Sequence, residues 1–408
     1  MRTLLFGSAL TCTCVFTSLV PDVAVAGFFE DSEGRLLLRN YYFDDENRDG
    51  GNDRREWAQG FIFKAQSGFT EGPVGFGLDA LGLSGFRLDS SPAHAGTGLL
   101  PVHDDGSAAR EFSSMGLTAK MRWNDLTVSS GTLLPRIPVV VSNDGRLLPQ
   151  TFRGTQVEYK GIDKLYLHAG HLDEFKLRNS SDSTSIYPYG YSGDKGSDFD
   201  FFGLRYDLSK ELSLSSYRGV LRDFYQQQFF GAVHTLPIGP GKLISDLRYF
   251  KSDDDGAAYN GKVNNETLSG LFTYRLGGHS LGYGYQKNGG STALPHIAGS
   301  TVYSFSTASV SKFIQPGEHI WMVRYDYDFA AAGVPGLTFV TRYYEGHGGE
   351  SRGKGIRENE LDTQLKYVVQ SGLFKGVGAE VRHAVSRSNY ASDWDSYRLY
   401  LTYDLLLW

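Results

Sequence analysis

The sequence predicts an all-β chain of about 18 antiparallel strands closed into a transmembrane barrel. Three observations predict it. Apolar and polar residues alternate along stretch after stretch, long and short connections take turns, and the chain ends on an aromatic strand. Beyond residue 26 no apolar run approaches the length of a membrane-spanning helix. A barrel escapes that test, because lipid-facing and lumen-facing residues alternate and the mean hydropathy of −0.30 averages two faces.

The alternation is plainest late in the chain. In "WMVRYDYDFA", Trp321, Val323, Tyr325, Tyr327 and Phe329 share one parity, and Arg324, Asp326 and Asp328 share the other. "LDTQLKYVVQ" sets Leu361, Leu365, Tyr367 and Val369 against Asp362, Gln364 and Lys366. "YRLYLTYDLLLW" sets Tyr397, Leu399, Leu401, Tyr403 and Leu405 against Arg398, Tyr400, Thr402 and Asp404. A period of two is the strand signal. A water-soluble sandwich alternates too, so the connections must decide.

Short turns carry glycine or charge: "TEGPV", "RWND", "KGIDK", "LSKE", "PIGPGK", "LGGH", "AAGVPG" and "SGLFKG". Between them lie mostly longer polar loops, among them "DDENRDGGNDRRE", "NSSDSTSIYPYGYSGDKGSD", "NGGSTALPHIAGSTVYSFS", "EGHGGESRGKGIRE" and "RSNYASD". Sorting of this kind belongs to a barrel with short periplasmic turns on one rim and long extracellular loops on the other. Aromatic clusters such as "RNYYF" and "RYYEG" then fall near strand ends, where girdles meet the headgroups. Outer-membrane lipid is therefore an expected partner. The terminal Trp408 resembles the signal by which the barrel assembly machinery reads a C-terminal strand.

At the other end, Arg2 precedes a mostly apolar run from Leu4 to Leu19, and Ala24-Val25-Ala26 fits a small-residue cleavage site. Residues 1–26 read as a secretory signal peptide, with an uncleaved anchor as the alternative, leaving 27–408 as one barrel domain. Both cysteines, Cys12 and Cys14, fall in the signal, so the mature chain is expected to hold no disulfide and no thiolate metal site. The net charge of −6 argues against a nucleic-acid partner. The ten histidines are scattered, and His168 and His171, three apart in a strand, point to opposite faces. Neither a catalytic constellation nor a cofactor motif stands out, although an outer-membrane enzyme or a purely structural barrel stays open as an alternative.

What does stand out is charge on the inward parity of consecutive late strands. Arg324, Arg342, Lys366, Arg382 and Arg398 each oppose the apolar set of their own strand. Cations confined between low-dielectric walls focus the field and concentrate small anions. The competing reading has them merely neutralising inward Asp326, Asp328, Asp362, Glu380 and Asp404.

One stretch obeys no period. "GTLLPRIPVVVSNDGRLLPQTFRG", residues 131–154, carries Pro135, Pro138 and Pro149 and an apolar run from Ile137 to Val141. Its prolines argue against a central strand, and a loop this long is usually functional.

The residues "GFFEDS", "LRNYYF", "EWAQGFIF", "VGFGLDALGL", "PVVVSNDGRLLPQTFRG", "RYDYDFAAAGVPGLTF" and "LKYVVQSG" resemble the OprD-type outer-membrane porins of Gram-negative bacteria over the whole mature chain. The resemblance implies an 18-stranded barrel in that outer membrane, taking up small solutes, usually carboxylates, by passive diffusion past a column of basic residues. It also implies that the third extracellular loop folds inward as a constriction, placing Arg136, Pro138, Asn143, Asp144 and Arg146 at the narrow point. Non-helical backbone at membrane depth is tolerated there because it lines a water-filled cavity. By the same resemblance Lys366, Arg382 and Arg398 match ladder positions, and so does Arg153, whose parity needs a bulge near Gly154 to bring it inward. Glu380 departs from the family pattern, where a basic residue is common. Small anionic solutes are the expected cargo, aromatic or cyclic acids ahead of amino acids or short peptides. A monomer or a loose homo-oligomer is equally compatible with the sequence.

Overall fold

In a computed structural model of the chain, residues 26–351 and 353–408 are described; the expected signal peptide, apart from Ala26, lies outside them. Eighteen long strands form one closed antiparallel barrel. They are β1 (Glu33–Asn47), β2 (Arg54–Gln66), β3 (Val74–Asp89), β4 (Glu111–Trp123), β5 (Leu126–Leu133) and β6 (Thr151–Ile162). Next come β7 (Leu165–Lys176), β8 (Phe199–Asp207), β9 (Leu212–Leu221), β10 (Tyr225–Ile238), β11 (Gly241–Asp254) and β12 (Asn264–Leu276). The last six are β13 (His279–Gly290), β14 (His319–Asp328), β15 (Leu337–Ser351), β16 (Lys354–Val368), β17 (Val377–Ser388) and β18 (Trp394–Leu406). Each strand pairs with its chain neighbours, and β1 pairs with β18 from Arg35↔Leu406 to Asn47↔Trp394, so no edge is left open. Past β18, Leu407 donates its N–H to the Gly34 carbonyl (2.7 Å), and Trp408 lays its ring where a Cβ on Gly34 would sit.

The two faces are sorted as the alternation predicts. Val323, Leu361, Leu365, Val381, Leu399 and Leu401 are exposed on the lipid side, while Met322, Tyr344, Glu360, Ala384 and Arg398 on the other parity are buried inside. Turns such as 124–125, 163–164, 239–240 and 277–278 close one rim. Asp328, expected as a luminal acid, instead caps a short 3₁₀ turn on this rim, accepting from the Ala330 N–H at 2.9 Å.

The opposite rim differs from the sequence reading in one respect. "EGHGGESRGKGIRE" and "DDENRDGGNDRRE" are not free loops: β15 runs to Ser351 and β16 starts at Lys354, while β1 and β2 leave only 48–53 between them. Hairpin pairing beyond the membrane satisfies their backbone groups, and because both parities carry polar residues, with Asp45, Glu56 and Glu358 on the buried one, no apolar alternation announces a strand. The connections 90–110, 134–150, 177–198 and 291–318 are long.

All four bury apolar residues in the barrel's inner clusters, Leu99 and Leu100 of 90–110 and Ile186 of 177–198 among them, and the other two build the narrowing. In 134–150, Ile137, Val139 and Val140 pack with Phe152, Phe175, Phe199, Phe201 and Tyr217 on the β6–β9 wall. Leu147 and Leu148 pack with Tyr41, Phe43, Ile62 and Phe112 on the β1–β4 wall. The loop therefore crosses the lumen from wall to wall. It also contains a small hairpin, Arg136–Ile137 against Val140–Val141, in a stretch whose sequence showed no strand period. The loop 291–318 folds in beside it, contributing Leu294, Ile297, Val302 and Ile314 to the same cluster as Val139.

Candidate functional site: the narrowed lumen

Between its two apolar anchors the crossing loop leaves a polar span, Ser142–Arg146, over the remaining opening. Arg39 of β1 fixes that span. Its guanidinium donates to both Asp144 oxygens (2.8 and 3.3 Å) and to the carbonyls of Arg146 (2.7 Å) and Leu147 (3.3 Å). A planar fork satisfied by a carboxylate and two carbonyls is a rigid clamp. It also neutralises Asp144, the only acid in the loop.

The 291–318 loop braces the other side. Asn143 donates to the Gly299 carbonyl (3.0 Å), Gln150 to that of Ala298 (2.9 Å), and the Thr301 N–H to that of Val141 (3.0 Å). Glu360 of β16 accepts from the N–H groups of Val310 (2.8 Å) and Ser311 (2.7 Å), tying this second loop to the wall. Two inward loops bonded to each other and to the wall at β1 and β16 make a fixed aperture.

Cations line it. Arg146 donates to the Thr97 carbonyl (3.1 Å) and lies 4.7 Å from the centre of the Phe43 ring. Arg398 donates to the Ser309 carbonyl (2.8 Å) and to Ser396 (3.1 Å), and lies 4.6 Å from the same ring. Arg178 donates to Asn143 (3.1 Å). All three guanidiniums are held by neutral oxygens, and among the described residues none has a carboxylate within ion-pair distance. Burial, and after it the cations nearby, push Arg146 and Arg178 down from the ordinary arginine range; guanidinium nonetheless stays charged. The Tyr400 hydroxyl meets that of Tyr41 at 2.5 Å beside this group.

Arg382 and Arg398 face each other across β17 and β18, and Arg324 faces Arg342 across β14 and β15. Neutralisation and exposure are divided among the sequence-predicted residues. Arg324 is paired with Asp326 (2.8 Å), and Arg382 with Glu380. Lys366 lies directly opposite Glu380, and Arg342 opposite Asp362, with no ion pair formed. Arg153 does sit at a bulge, where the register shifts at Arg153/Gly154. Its guanidinium is taken by Asp173 (3.3 Å) and Glu174 (3.2 Å), so it is not brought to the aperture group. Arg136 is exposed in a cavity of about 480 Å³ beneath the crossing loop, with Lys160, Arg205, Glu158 and Tyr166. Pro138 is half-buried in the tip of the small hairpin.

A family model for the outer membrane porin, OprD family, matches residues 26–407. Porin D of Pseudomonas aeruginosa is 35% identical over 419 residues, covering 96% of this chain and 95% of its own. The chain belongs to the OprD family of outer-membrane porins. Among solved OprD-family structures, Pseudomonas aeruginosa OccK9 (OpdG) superposes with a TM-score of 0.92 at 39% identity, covering 93% of this chain and all of its own. OpdK of the same organism, solved with vanillate, superposes at 0.90 and 39% identity, with the same coverage. These OprD-family relatives are channels of the Gram-negative outer membrane rather than enzymes.

Several residues of this OprD-family lumen escaped the sequence reading: Arg39, Arg178, Lys160, Arg205 and Lys312. Lys312 of the second inward loop meets His296 (3.1 Å) and stands 3.2 Å over the Tyr189 ring. Burial first and Arg178 second push Lys312 down to about 8. One signal for its loop was available. "STALPHIAGSTVYSFS" mixes apolar residues into an aperiodic connection, as 134–150 does.

Proposed function

We propose that this porin selects small carboxylate-bearing solutes, which diffuse passively down their gradient through the braced aperture. The observation that carries the reading is the set of three guanidiniums, Arg146, Arg178 and Arg398, bound only to neutral oxygens beside the polar span of the crossing loop. A cation with no internal counter-ion is free to take an anion from the solute. Inside a confined, partly desolvated site that contact is stronger than in bulk water.

Aromatic or cyclic acids suit the site better than amino acids or short peptides. Tyr400, half-buried beside the cations and backed by the fully buried Tyr41 and Phe43, offers an aromatic surface and a hydroxyl. Asp144 is held by Arg39 and Glu380 by Arg382, so neither is free for the ammonium of an amino acid. The relative OpdK, solved with vanillate, an aromatic carboxylate, supports the same preference. The test is uptake into liposomes bearing the purified porin, comparing benzoate-type acids, basic amino acids and neutral sugars of similar size. Faster entry of the aromatic acids is the expected result. Equal rates for acids and sugars would remove the proposed selectivity.

A further inference from the structure

The outer wall carries a feature unrelated to the lumen. On the lipid-facing parity near the long-loop rim, Lys287 of β13 lies opposite His319 of β14, His319 opposite His347 of β15, and His347 opposite Arg357 of β16. Four nitrogen-bearing side chains thus form one unbroken cross-strand row. Three strand gaps of about 4.8 Å make it about 14 Å long. Lys287, His347 and Arg357 are exposed and His319 is half-buried. The two imidazole rings stack at 6.0 Å, and His319 is oriented through Nδ1 by the Tyr285 hydroxyl (2.8 Å).

Below the row the same parity turns aromatic and then apolar. Tyr285 and Trp321 come first, followed by Tyr283, Val323, Tyr343 and Leu361. On β13 the row stands eight residues above His279 (287 − 279 = 8), which packs on Tyr327 at the short-turn girdle. Eight residues at about 3.3 Å, on a strand tilted by about 40°, give a height of about 20 Å. The apolar band of such barrels is about 25 Å tall, so the row falls near its outer boundary, just above the aromatic pair Tyr285 and Trp321.

Acids do not cancel it. Among the described residues neither Lys287 nor Arg357 has an ion-pair partner. Glu345 lies one outward step nearer the membrane and accepts from the Tyr343 hydroxyl (3.4 Å). Asp395 is taken by Arg387 (2.7 Å) and Arg48 (2.6 Å), Asp393 lies 3.9 Å from Arg387, and Glu266 is taken by Lys251 (3.5 Å). Glu350 stands farther out on the hairpin. Beside Arg357 the wall opens into a groove of about 620 Å³ lined by His347, Asn359, Arg387 and Asn389 together with Glu345, Asp393 and the buried Glu358, which accepts from the Tyr390 hydroxyl (2.7 Å).

We propose that this row binds a phosphate-bearing glycolipid of the outer leaflet, its phosphates on Lys287 and Arg357, its sugars on the imidazoles and groove, and its acyl chains on the apolar rows below. Charge complementarity selects the headgroup, and the apolar rows select a lipid over a soluble anion.

The test uses purified porin in detergent, titrated with bis-phosphorylated lipid A and with the same lipid stripped of both phosphates, read by native mass spectrometry. The phosphorylated lipid is expected to bind at least tenfold more tightly, and Lys287→Gln with Arg357→Gln to abolish that preference. His319→Gln with His347→Gln should weaken it severalfold. None of these side chains faces the lumen, so single-channel conductance should be unchanged, which also reports correct folding. Equal binding of the two lipids, or wild-type binding by the Lys287/Arg357 variant, would overturn the proposal. So would an equal loss in Lys251→Gln with Arg218→Gln, which removes the same charge elsewhere. Displacement of the lipid by millimolar inorganic phosphate would overturn it in favour of a soluble anion.

Discussion

Replacing Arg398 by glutamine tests the anion-selective aperture most directly. Arg398 is only 5% exposed, and its guanidinium is shared between the Ser309 carbonyl, Ser396 and the Phe43 face. A solute carboxylate about 4 Å away would gain about 1 kcal/mol in water and about 4 kcal/mol at an effective dielectric of 20. The lumen is wet on one side, so a value near 1–2 kcal/mol is expected, a five- to thirtyfold loss in the affinity of a transient site. The barrel should survive, because a glutamine amide can still donate to the Ser309 carbonyl and spare it the about 1–3 kcal/mol cost of burial without a partner. The assay is reversal potential in a planar bilayer under a salt gradient, alongside block of the current by benzoate. Anion preference should fall, benzoate block should weaken five- to thirtyfold, and both differences should shrink in 1 M salt, where the screening length is about 3 Å. A folded Arg398→Gln barrel with unchanged ion preference and unchanged block would refute the reasoning.

Three further outcomes follow from the same geometry. Glu380→Gln releases Arg382 from its ion pair and relieves the carboxylate facing Lys366, so anion preference should rise, opposite in sign to Arg398→Gln in the same reversal-potential measurement. Deleting Val139 to Gly145 removes most of the polar span and most of one apolar anchor, and single-channel conductance should increase with loss of discrimination among solutes, since the narrowest point dominates resistance. Carboxylate flux should fall as external pH rises through about 8, because Lys312 is charged below that value and neutral above it. Lys312→Gln should flatten that part of the pH profile, and a profile with the same drop in the variant would exclude Lys312 as its source.

The barrel was legible because lipid imposes one rule on every crossing strand, and the rule survives averaging over composition. Trp321, Val323, Leu365 and Val381 had to share a parity whatever their partners were. The hairpin at His347–Ser351 was not legible, since past the membrane both faces are wet and nothing alternates. The crossing loop was conspicuous through its prolines and apolar run. Its companion at 291–318 was read as another surface loop, because an aperiodic segment does not show in sequence whether its Leu294 and Ile314 are covered by the inner wall or by one another. The late-strand cations were visible by parity, but their state was not. Whether Arg382 is paired and Arg398 is free depends on which neighbour the register brings opposite. Arg39 and Arg178 were invisible for the same reason: their partners, Asp144 and Asn143, lie 105 and 35 residues away.

The strand pair that closes the barrel has a bearing on selectivity. β1 carries the Arg39 clamp, β18 carries Arg398, and the two strands touch only when the cylinder is complete. The aperture can therefore be set only in a finished barrel; an open intermediate lacks either the bolt on one side or the guanidinium on the other. The alternating pattern guards the seam against a one-residue slip, which would turn greasy side chains into the channel. It gives no protection against a slip of two, which keeps every side chain on its proper face while carrying Arg398 about 7 Å along the axis. Joining the last strand two residues out of place would leave an intact, membrane-sealed barrel that has lost its discrimination. Trp408, seated on Gly34 just past the final pair, would lose that seat in such a slip.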